Sequence, residues 1–478
     1  TSLTLHYFTS QDRGDTRQYD RIAFEDDNPS LNAGEGNDPY DFYTSEYYSH
    51  EIDVSGFSGD FNRQLQSGLN LDILFALQSS ERNVSGNGDG TSFPRYQYNF
   101  DDDLDQTSLE IRLSDATGGE FDWIAGAFFM NDSVDFTSNW TSYAVLSQYS
   151  SPYNQRRNSF ATFGNIDWNI SNDLVISGGL RYTKDNAKFR GENIDADPWG
   201  LSVFEETFKT DANFSWDREF DDSNVSGKLA IQYFINDNLN VFASVSTAYR
   251  GGGFDGTSIF SEEETQPFES EEVLAYEAGA RYVTDNINFT FDLFSYDFEE
   301  LQATARLSND TNGRTNVGEA TVRGAEASIA VTLYEANDHK ITFNTAGTYL
   351  DTEITEFSSN RVNDVVSTIG DPLPGSPEWS QTAVLNYQTS LTNNTQLNAR
   401  LNYSYHGEES NRLNAGDGNT APSYNLLGVR LDVTFANGLN VYAYGRNITD
   451  EVYFLELNGG ARLVGAPATY GGGVSYAF

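Results

Sequence analysis

The sequence predicts an all-β chain folded as a membrane-spanning antiparallel β-barrel. Three observations lead there. Stretches with apolar residues at every second position recur from the first residues to the last, the period of a strand with one apolar face. The connections between them alternate, short then long, along almost the whole chain. No run of about 18 apolar residues occurs, so no helix is expected to cross a membrane, whereas a barrel wall needs only alternate residues apolar.

The first strand is Leu3 to Thr9, and a long polar segment, Asp12 to Tyr48, follows it. A looser short connection comes at Gly59 to Gly68, then a long acidic segment from Glu81 to Asp105. The alternation continues with Asp115 to Glu120, short, and Asn131 to Arg157, long. Next come Ser171 to Asp173, short, Lys184 to Asn224, long, Asn236 to Asn238, short, and Gly251 to Glu271, long. Further turns fall at Thr284 to Asn286, Tyr334 to Asp338, Ser390 to Asn394 and Ala436 to Gly438, with a long segment at Gly407 to Ser423. The short connections carry the Asn, Asp or Gly that tight turns demand. Between them, Leu397 to His406 sets Leu397, Ala399 and Leu401 against Arg400 and Asn402. Leu427 to Phe435 sets Leu427, Val429 and Leu431 against Arg430 and Asp432. One such strand fits a soluble sandwich, apolar side in, as well as a membrane barrel, apolar side out. The connections decide: tight turns at one end and long loops at the other are the asymmetry of outer-membrane barrels, with periplasmic turns and extracellular loops. Counted this way the chain holds about 18 strands, an even number that puts both termini on the periplasmic side. The last, Tyr470 to Phe478, carries Val474, Tyr476 and Phe478 on one face with small residues between them.

Composition narrows the function classes. Of 478 residues, 38% are hydrophobic and 14% aromatic, mostly Tyr and Phe, which suits aromatic girdles at two membrane interfaces. There is no cysteine, which excludes disulfides, thiolate metal sites and cysteine nucleophiles. The net charge of −43 makes nucleic acid an unsuitable partner, since phosphate binding needs a basic surface. Acidic loops in salty water account for the charge, as do loops bridged by divalent cations to lipopolysaccharide.

An aromatic residue closing the final strand resembles the assembly signal of bacterial outer-membrane barrels, a role that falls on Tyr476 and Phe478. Larger stretches resemble the TonB-dependent receptor family. Asn440 to Tyr453, with Asn447-Ile-Thr-Asp450 before Tyr453, looks like the family's penultimate strand and turn, Ile448 standing for the usual Leu. Thr469 to Phe478 looks like its final strand, and Leu239 to Phe254 like the strand that runs into a Gly-Gly-Phe corner. Glu272 to Tyr282, with Tyr276, Glu277 and Gly279, matches the next strand; Val322 to Glu326 and Gly179 to Tyr182 also fit. The resemblance implies a 22-stranded barrel closed by an N-terminal plug, through which the TonB complex delivers energy. No plug precedes Leu3 in this sequence. An incomplete transporter is therefore expected, residues 1–478 being barrel, with the plug and about four first strands absent.

Candidate sites are few. Gly251-Gly-Gly-Phe254 opens no helix, so it is no phosphate loop; the glycines are expected to let the chain leave the rim sharply. Acid clusters at Asp101 to Asp105, Asp221-Asp222 and Glu262 to Glu264 lack the spacing of a calcium loop and read as solvated loop residues. His6, His50, His339 and His406 are dispersed, which disfavours zinc, and no nucleophile–base arrangement stands out. No enzyme activity and no cofactor are expected. The aromatics of the long segments are the better candidates: Tyr40, Phe42, Tyr43, Tyr47 and Tyr48, then Tyr96, Tyr98 and Phe100, then Tyr143, Tyr149 and Tyr153. Some would form the outer girdle. Others, with Phe254, could stack on sugars or siderophore rings above a pore.

Two functions remain open. In one, a scarce nutrient is taken up in a TonB-coupled step, the resemblance implying ferric siderophores, haem, cobalamin or oligosaccharides. The acidic charge disfavours a highly anionic ligand. In the other, the chain is a passive porin or structural barrel. A secreted β-rich adhesin is a remote third reading.

Overall fold

The structure, a computed structural model, describes every residue except 16–19, 22–39, 41–48, 88–95, 116, 144, 209, 258, 308–310, 358–368, 392–393, 412, 414–418, 459–460 and 478. Its frame is one 18-stranded antiparallel sheet. The strands are β1 (Ser2–Asp15), β2 (Ser49–Gln64), β3 (Asn70–Asn87), β4 (Tyr96–Asp115), β5 (Phe121–Ser142) and β6 (Ser147–Ser171). There follow β7 (Leu174–Asp195), β8 (Phe214–Asn236), β9 (Leu239–Arg250), β10 (Glu271–Val283), β11 (Ile287–Glu299) and β12 (Gly318–Ala336). The sheet ends with β13 (His339–Phe357), β14 (Trp379–Ser390), β15 (Gln396–His406), β16 (Tyr424–Thr434), β17 (Leu439–Arg446) and β18 (Thr469–Tyr476). Each strand pairs with its neighbours in sequence, β1 with β2 alone and β18 with β17 alone among the described residues. Both edges are bare: β1 is exposed along its length, and Tyr470 and Val474 of β18 are about as exposed. Beyond the strands, Asp20–Arg21 pairs with Ala461–Val464, which pairs in turn with Phe454–Asn458. The segment leaving β1 thus meets the segment entering β18, and the sheet curls until its two ends approach.

The two faces of the sheet differ in chemistry. On one, Leu109, Phe129, Phe160, Leu180 and Leu229 stand bare, between 39% and 68% exposed, so this face is fit only for lipid. On the other, Arg281 pairs with Asp292 (2.7 Å), Arg430 with Asp432 (2.7 Å), and Tyr296 donates to Glu277 (2.8 Å). Charges are satisfied against one another there, as in a polar lumen. The apolar band on β5 runs from Phe121 to Phe129. At about 3.3 Å per residue and a tilt of about 40°, it rises about 20 Å, close to the lipid-facing band of an outer-membrane barrel. Leu397, Ala399, Leu401, Leu427, Val429 and Leu431 share the lipid face, with Arg400, Asn402, Arg430 and Asp432 opposite. Leu401→Arg or Leu431→Arg is expected to cost about 2–4 kcal/mol near the midplane, measured as a lowered denaturant midpoint for refolding into vesicles. Lipid accessibility at positions 401 and 402, read by spin labels, is expected to follow this register: a water-exposed label at 401 beside a lipid-exposed one at 402 would overturn it.

Local chemistry sets the turns. Asn337 and Asp338 close a two-residue turn with φ of 51° and 67°, left-handed values that Asn and Asp tolerate best after Gly. In the turn after β17, Asn447 Nδ2 donates to the carbonyls of Glu451 (2.8 Å) and Ala466 (3.1 Å), and its Oδ1 accepts from Glu451 N (2.9 Å). Asp450 Oδ1 accepts from Ala468 N (2.9 Å). The Asn-Ile-Thr-Asp motif is therefore a knot that seats β18. The glycines of β18 follow from packing: a Cβ on Gly471 or Gly473 would sit 2.6 or 2.5 Å from the ring of Tyr444 or Tyr442.

The structure corrects several expectations. The segments Glu81 to Asp105, Asn131 to Arg157 and Lys184 to Asn224 are mainly strand, with β5 and β6 joined through residues 143–146 alone. The turn expected at Gly59 to Gly68 is confined to Leu65–Leu69, where Leu65 N and Leu69 O bond at 2.7 Å. Among the described residues two short helical turns interrupt the all-strand reading, at Phe204–Phe208 and Glu262–Thr265.

Candidate ligand-binding vestibule

Past the apolar band the strands β3 to β8 continue, and their alternation reverses. On β5 the lipid-face residues up to Phe129 are odd-numbered; beyond it the rings sit at even positions, Phe136 and Trp140, on the lumen face. Asn131, Ser133 and Asp135 now take the outer face. The cause is the change of solvent. Within lipid the outer face must be apolar; above it that face meets water, and apolar packing moves inside. Tyr98 and Phe100 of β4, Tyr149 and Tyr153 of β6, Phe189 of β7 and Trp216 of β8 follow the same rule.

These rings form one wall. Tyr98 stacks on Phe100 (centroids 4.7 Å), Phe100 meets Trp140 edge-on (5.6 Å), and Trp140 lies 6.3 Å from Tyr149. Phe136 stacks on Tyr153 (5.0 Å) and Tyr153 meets Phe189 (5.0 Å). Offset and edge-on contacts at these distances are favourable beyond the area they bury. Phe189 and Trp216 are buried, whereas Tyr98, Phe100 and Trp140 are half-buried. Burial raises the hydroxyl pKa of Tyr149 and Tyr153, so both stay neutral.

Two connections fold inward over part of the wall. After β9 the chain passes between backbone and ring at Gly252, where a Cβ would sit 2.4 Å from the Phe268 carbonyl oxygen and 2.6 Å from the Phe220 ring. Only glycine fits so close an approach. Phe254 then stacks on Phe189 (5.1 Å), and Ile259 and Trp216 complete the cluster. Phe260 stacks on Phe208 (5.1 Å) beside Trp140. From the other connection, Phe204 is fully buried against Tyr149, Val145 and Ala212. Two buried polar side chains pin both: Ser151 Oγ lies within reach of Asn193 Oδ1 (2.6 Å) and the Ile259 carbonyl (3.2 Å), and Asn193 Nδ2 donates to the Ala212 carbonyl (2.7 Å). A hairpin, Gln302–Arg306 with Asn312–Asn316, braces the first connection. There Gln302 Nε2 reaches the carbonyls of Glu269 (2.9 Å) and Arg250 (3.2 Å). Glu264, 3% exposed, accepts from the amides of Ser261 (2.8 Å) and Phe260, and burial pushes its pKa up to about 8. Two ion pairs lie elsewhere on the wall, Arg82 with Asp102 (2.5 Å) and Arg157 with Asp185 (3.3 Å), which also accepts from Tyr249 Oη (2.8 Å).

Of the expected site residues, Tyr98 lies on this wall and Tyr96 on the same face of β4, on a strand and not in a loop. Tyr149 and Tyr153 likewise sit on a strand, facing the lumen and not a lipid girdle, while Tyr143 sits in the turn before β6. Phe254 is buried in the cluster, so its expected role as an open stacking face is corrected to that of an anchor. Tyr40 is half-buried in a turn; Phe42, Tyr43, Tyr47 and Tyr48 lie outside the described residues, as does Phe478. Tyr476 is 54% exposed on the lipid face of β18. The Asp101 to Asp105 run is divided between the faces of β4, Asp102 inward against Arg82. Among the described residues no group of three or more His, Asp or Glu is placed to hold a metal. Sequence reasoning missed Phe136, Trp140, Phe189, Trp216 and Gln302, and its reading of Glu264 as a solvated loop residue is corrected by that residue's burial. The reversal of alternation would have found the first four.

Comparison with known proteins agrees with this architecture. Residues 2–448 match the family described as TonB dependent receptor-like, beta-barrel. The Pesticin receptor of Yersinia pestis is 23% identical over 173 residues, 35% of this chain and 23% of that protein. The Ferrioxamine B receptor of Salmonella typhimurium is 26% identical over 267 residues, 54% of this chain and 35% of that protein. Among solved structures, the ferric yersiniabactin uptake receptor FyuA from Yersinia pestis superposes with a TM-score of 0.77 at 16% identity, over 99% of this chain and 67% of that one. The siderophore receptor PiuA from Acinetobacter baumannii gives 0.71 at 15% identity, over 99% and 71%. The matched regions thus span at most about a third of these sequence relatives and about two thirds of the solved chains.

Proposed function

Given that the chain belongs to the TonB-dependent receptor β-barrel family, we propose that it forms the barrel wall of an outer-membrane receptor that takes up a scarce nutrient by TonB-coupled transport, a ferric siderophore being the favoured class. The observation that carries this reading is the inward-facing aromatic wall above the lipid band, with Tyr98, Phe100 and Trp140 only half-buried. Rings placed there serve no lipid interface and offer faces for a ligand's planar groups. The similarity to a ferric yersiniabactin uptake receptor and to a ferrioxamine B receptor supports the class. The net charge of −43 favours a neutral or cationic chelate over a strongly anionic one. Haem, cobalamin and oligosaccharides are the alternatives within the same uptake reading. No bond need break in such a step, so no catalytic group is assigned. Lipid and lipopolysaccharide surround the band, and the TonB complex would act through a plug outside residues 1–478. The bare edges of β1 and β18 support completion of the ring by further strands, because unpaired backbone in lipid costs several kcal/mol per group.

The test is ligand binding and growth. In cells with a ferric chelate as sole iron source, the Tyr98→Ala/Trp140→Ala variant is expected to bind that chelate about 10–100-fold more weakly, at about 1–3 kcal/mol for lost stacking. Growth should fail at limiting chelate. Uptake that proceeds unchanged without TonB, or scales linearly with any small solute, would favour the passive porin.

A further inference from the structure

The hairpin of β5 and β6, 22 and 25 residues long, carries its turn far above the lipid band. Beside that turn runs the connection after β7. Val203 N donates to the Val145 carbonyl (2.9 Å) and Ala196 N to the Gln148 carbonyl (2.9 Å). The connection is built stiffly. Asp197, at φ 34°, accepts from the amides of Leu201 (2.8 Å) and Ser202 (2.9 Å), and Asp195 accepts from Ser202 Oγ (2.6 Å) and Ser147 Oγ. Under it lies the buried cluster of Val145, Tyr149, Phe204 and Ala212. On top, Trp199 stacks on Tyr143 (5.5 Å), yet Trp199 is 43% exposed, Leu201 60% and Leu146 38%. The core below is complete without these faces, and no lipid reaches this height. Large apolar side chains held rigid in water are what an interface hot spot looks like before its partner arrives.

We propose that this crest is a docking point for a cationic polypeptide that offers an apolar side chain to Trp199 and Leu201. The charge around it selects the partner. Residues 192–217 hold seven acids, Glu192, Asp195, Asp197, Glu205, Glu206, Asp211 and Asp217, against the single base Lys209. Asp195 and Asp197 are consumed in building the connection and Asp217 pairs with Arg190 (3.1 Å). Glu192, Glu206 and Asp211 are exposed and stand ready to steer a basic chain. The proposal does not rest on the uptake reading, since Trp199 and Leu201 are exposed on top of the connection and are not among the rings of the lumen wall.

The test titrates the full chain, in zwitterionic nanodiscs, with a labelled peptide of alternating leucine and lysine. Leucine–glutamate and serine–lysine peptides serve as controls, and anisotropy is the readout. Trp199→Ser with Leu201→Ser is expected to weaken leucine–lysine binding about thirtyfold, the effect of removing a hot-spot anchor, and to leave the weaker serine–lysine binding unchanged. Glu192→Gln with Glu206→Gln and Asp211→Asn, which touches none of the apolar faces, is expected to flatten the salt dependence of binding. Native heat-modifiable migration on gels certifies the fold of each variant. No binding of the leucine–lysine peptide, equal binding by the Trp199/Leu201 variant, or equally tight binding of the leucine–glutamate peptide would overturn the proposal.

Discussion

Phe254→Ala is expected to release the connection of residues 251–270 from the lumen wall while leaving the membrane-spanning barrel intact. Phe254 is 6% exposed and stacks on Phe189, which is fully buried, with Trp216 and Ile259 against both. Truncating a buried phenylalanine costs about 3–5 kcal/mol. A connection held by one small cluster and a few hydrogen bonds has little more docking energy than that, so the loss appears as local opening and not as global unfolding. Protease added to whole cells should cut within 251–270 in the variant and spare the native protein. Heat-modifiable migration should be unchanged, because the cluster lies above the lipid band. Phe254→Leu, which keeps most of the buried volume, should retain protection. Equal protection in the alanine variant would show that Gln302 and the paired hairpin hold the connection without the ring.

The same cluster marks the limit of what the sequence made legible. Strand number and turn positions could be read because both are local: Asn337-Asp338 must turn, and Leu397, Ala399 and Leu401 must share a face. Strand length could not be read from apolar alternation in one phase, because the outer face of β5 becomes polar at Asn131, as the lipid ends, while the strand runs on to Ser142. The polar stretch resembled a loop only while the odd positions alone were followed. At the even positions Phe136 and Trp140 continue the pattern. Tyr98 and Phe100 could be named as rings above a pore, but Phe136 and Trp140 beside them come from another strand, and the pairing of Phe254 with Phe189 joins residues distant in sequence through an inward turn at Gly252. Nothing local encodes such a contact. The burial of Glu264 was hidden for the opposite reason, since a run of three glutamates reads as solvent-facing until the fold shows Glu262 exposed, Glu263 half-buried and Glu264 within.

Glu264 should make the docking of that connection depend on pH. Its carboxyl is 3% exposed, with Asp255 adding repulsion and the Tyr149 ring nearby, and burial pushes its pKa up to about 8 from the ordinary 4.5. The amides of Phe260 and Ser261 and the Thr311 side chain favour the charged form but do not offset the desolvation. Between these two values the docked state holds a proton that the undocked state has lost. Rising pH therefore removes stability, at about 1.4 kcal/mol per unit, from 4.5 up to 8; below 4.5 and above 8 this group contributes no further change. Because the chain has no cysteine, a single spin label at Thr257→Cys, on the exposed part of the connection, reports docking without background. Its mobile fraction is expected to grow as pH rises from 5 towards 8. Glu264→Gln, which keeps the shape and cannot ionise, should leave that fraction flat across the range. A mobile fraction that falls with rising pH, or a glutamine variant that titrates as the native protein does, would show that another group, Asp255 first among them, controls the connection.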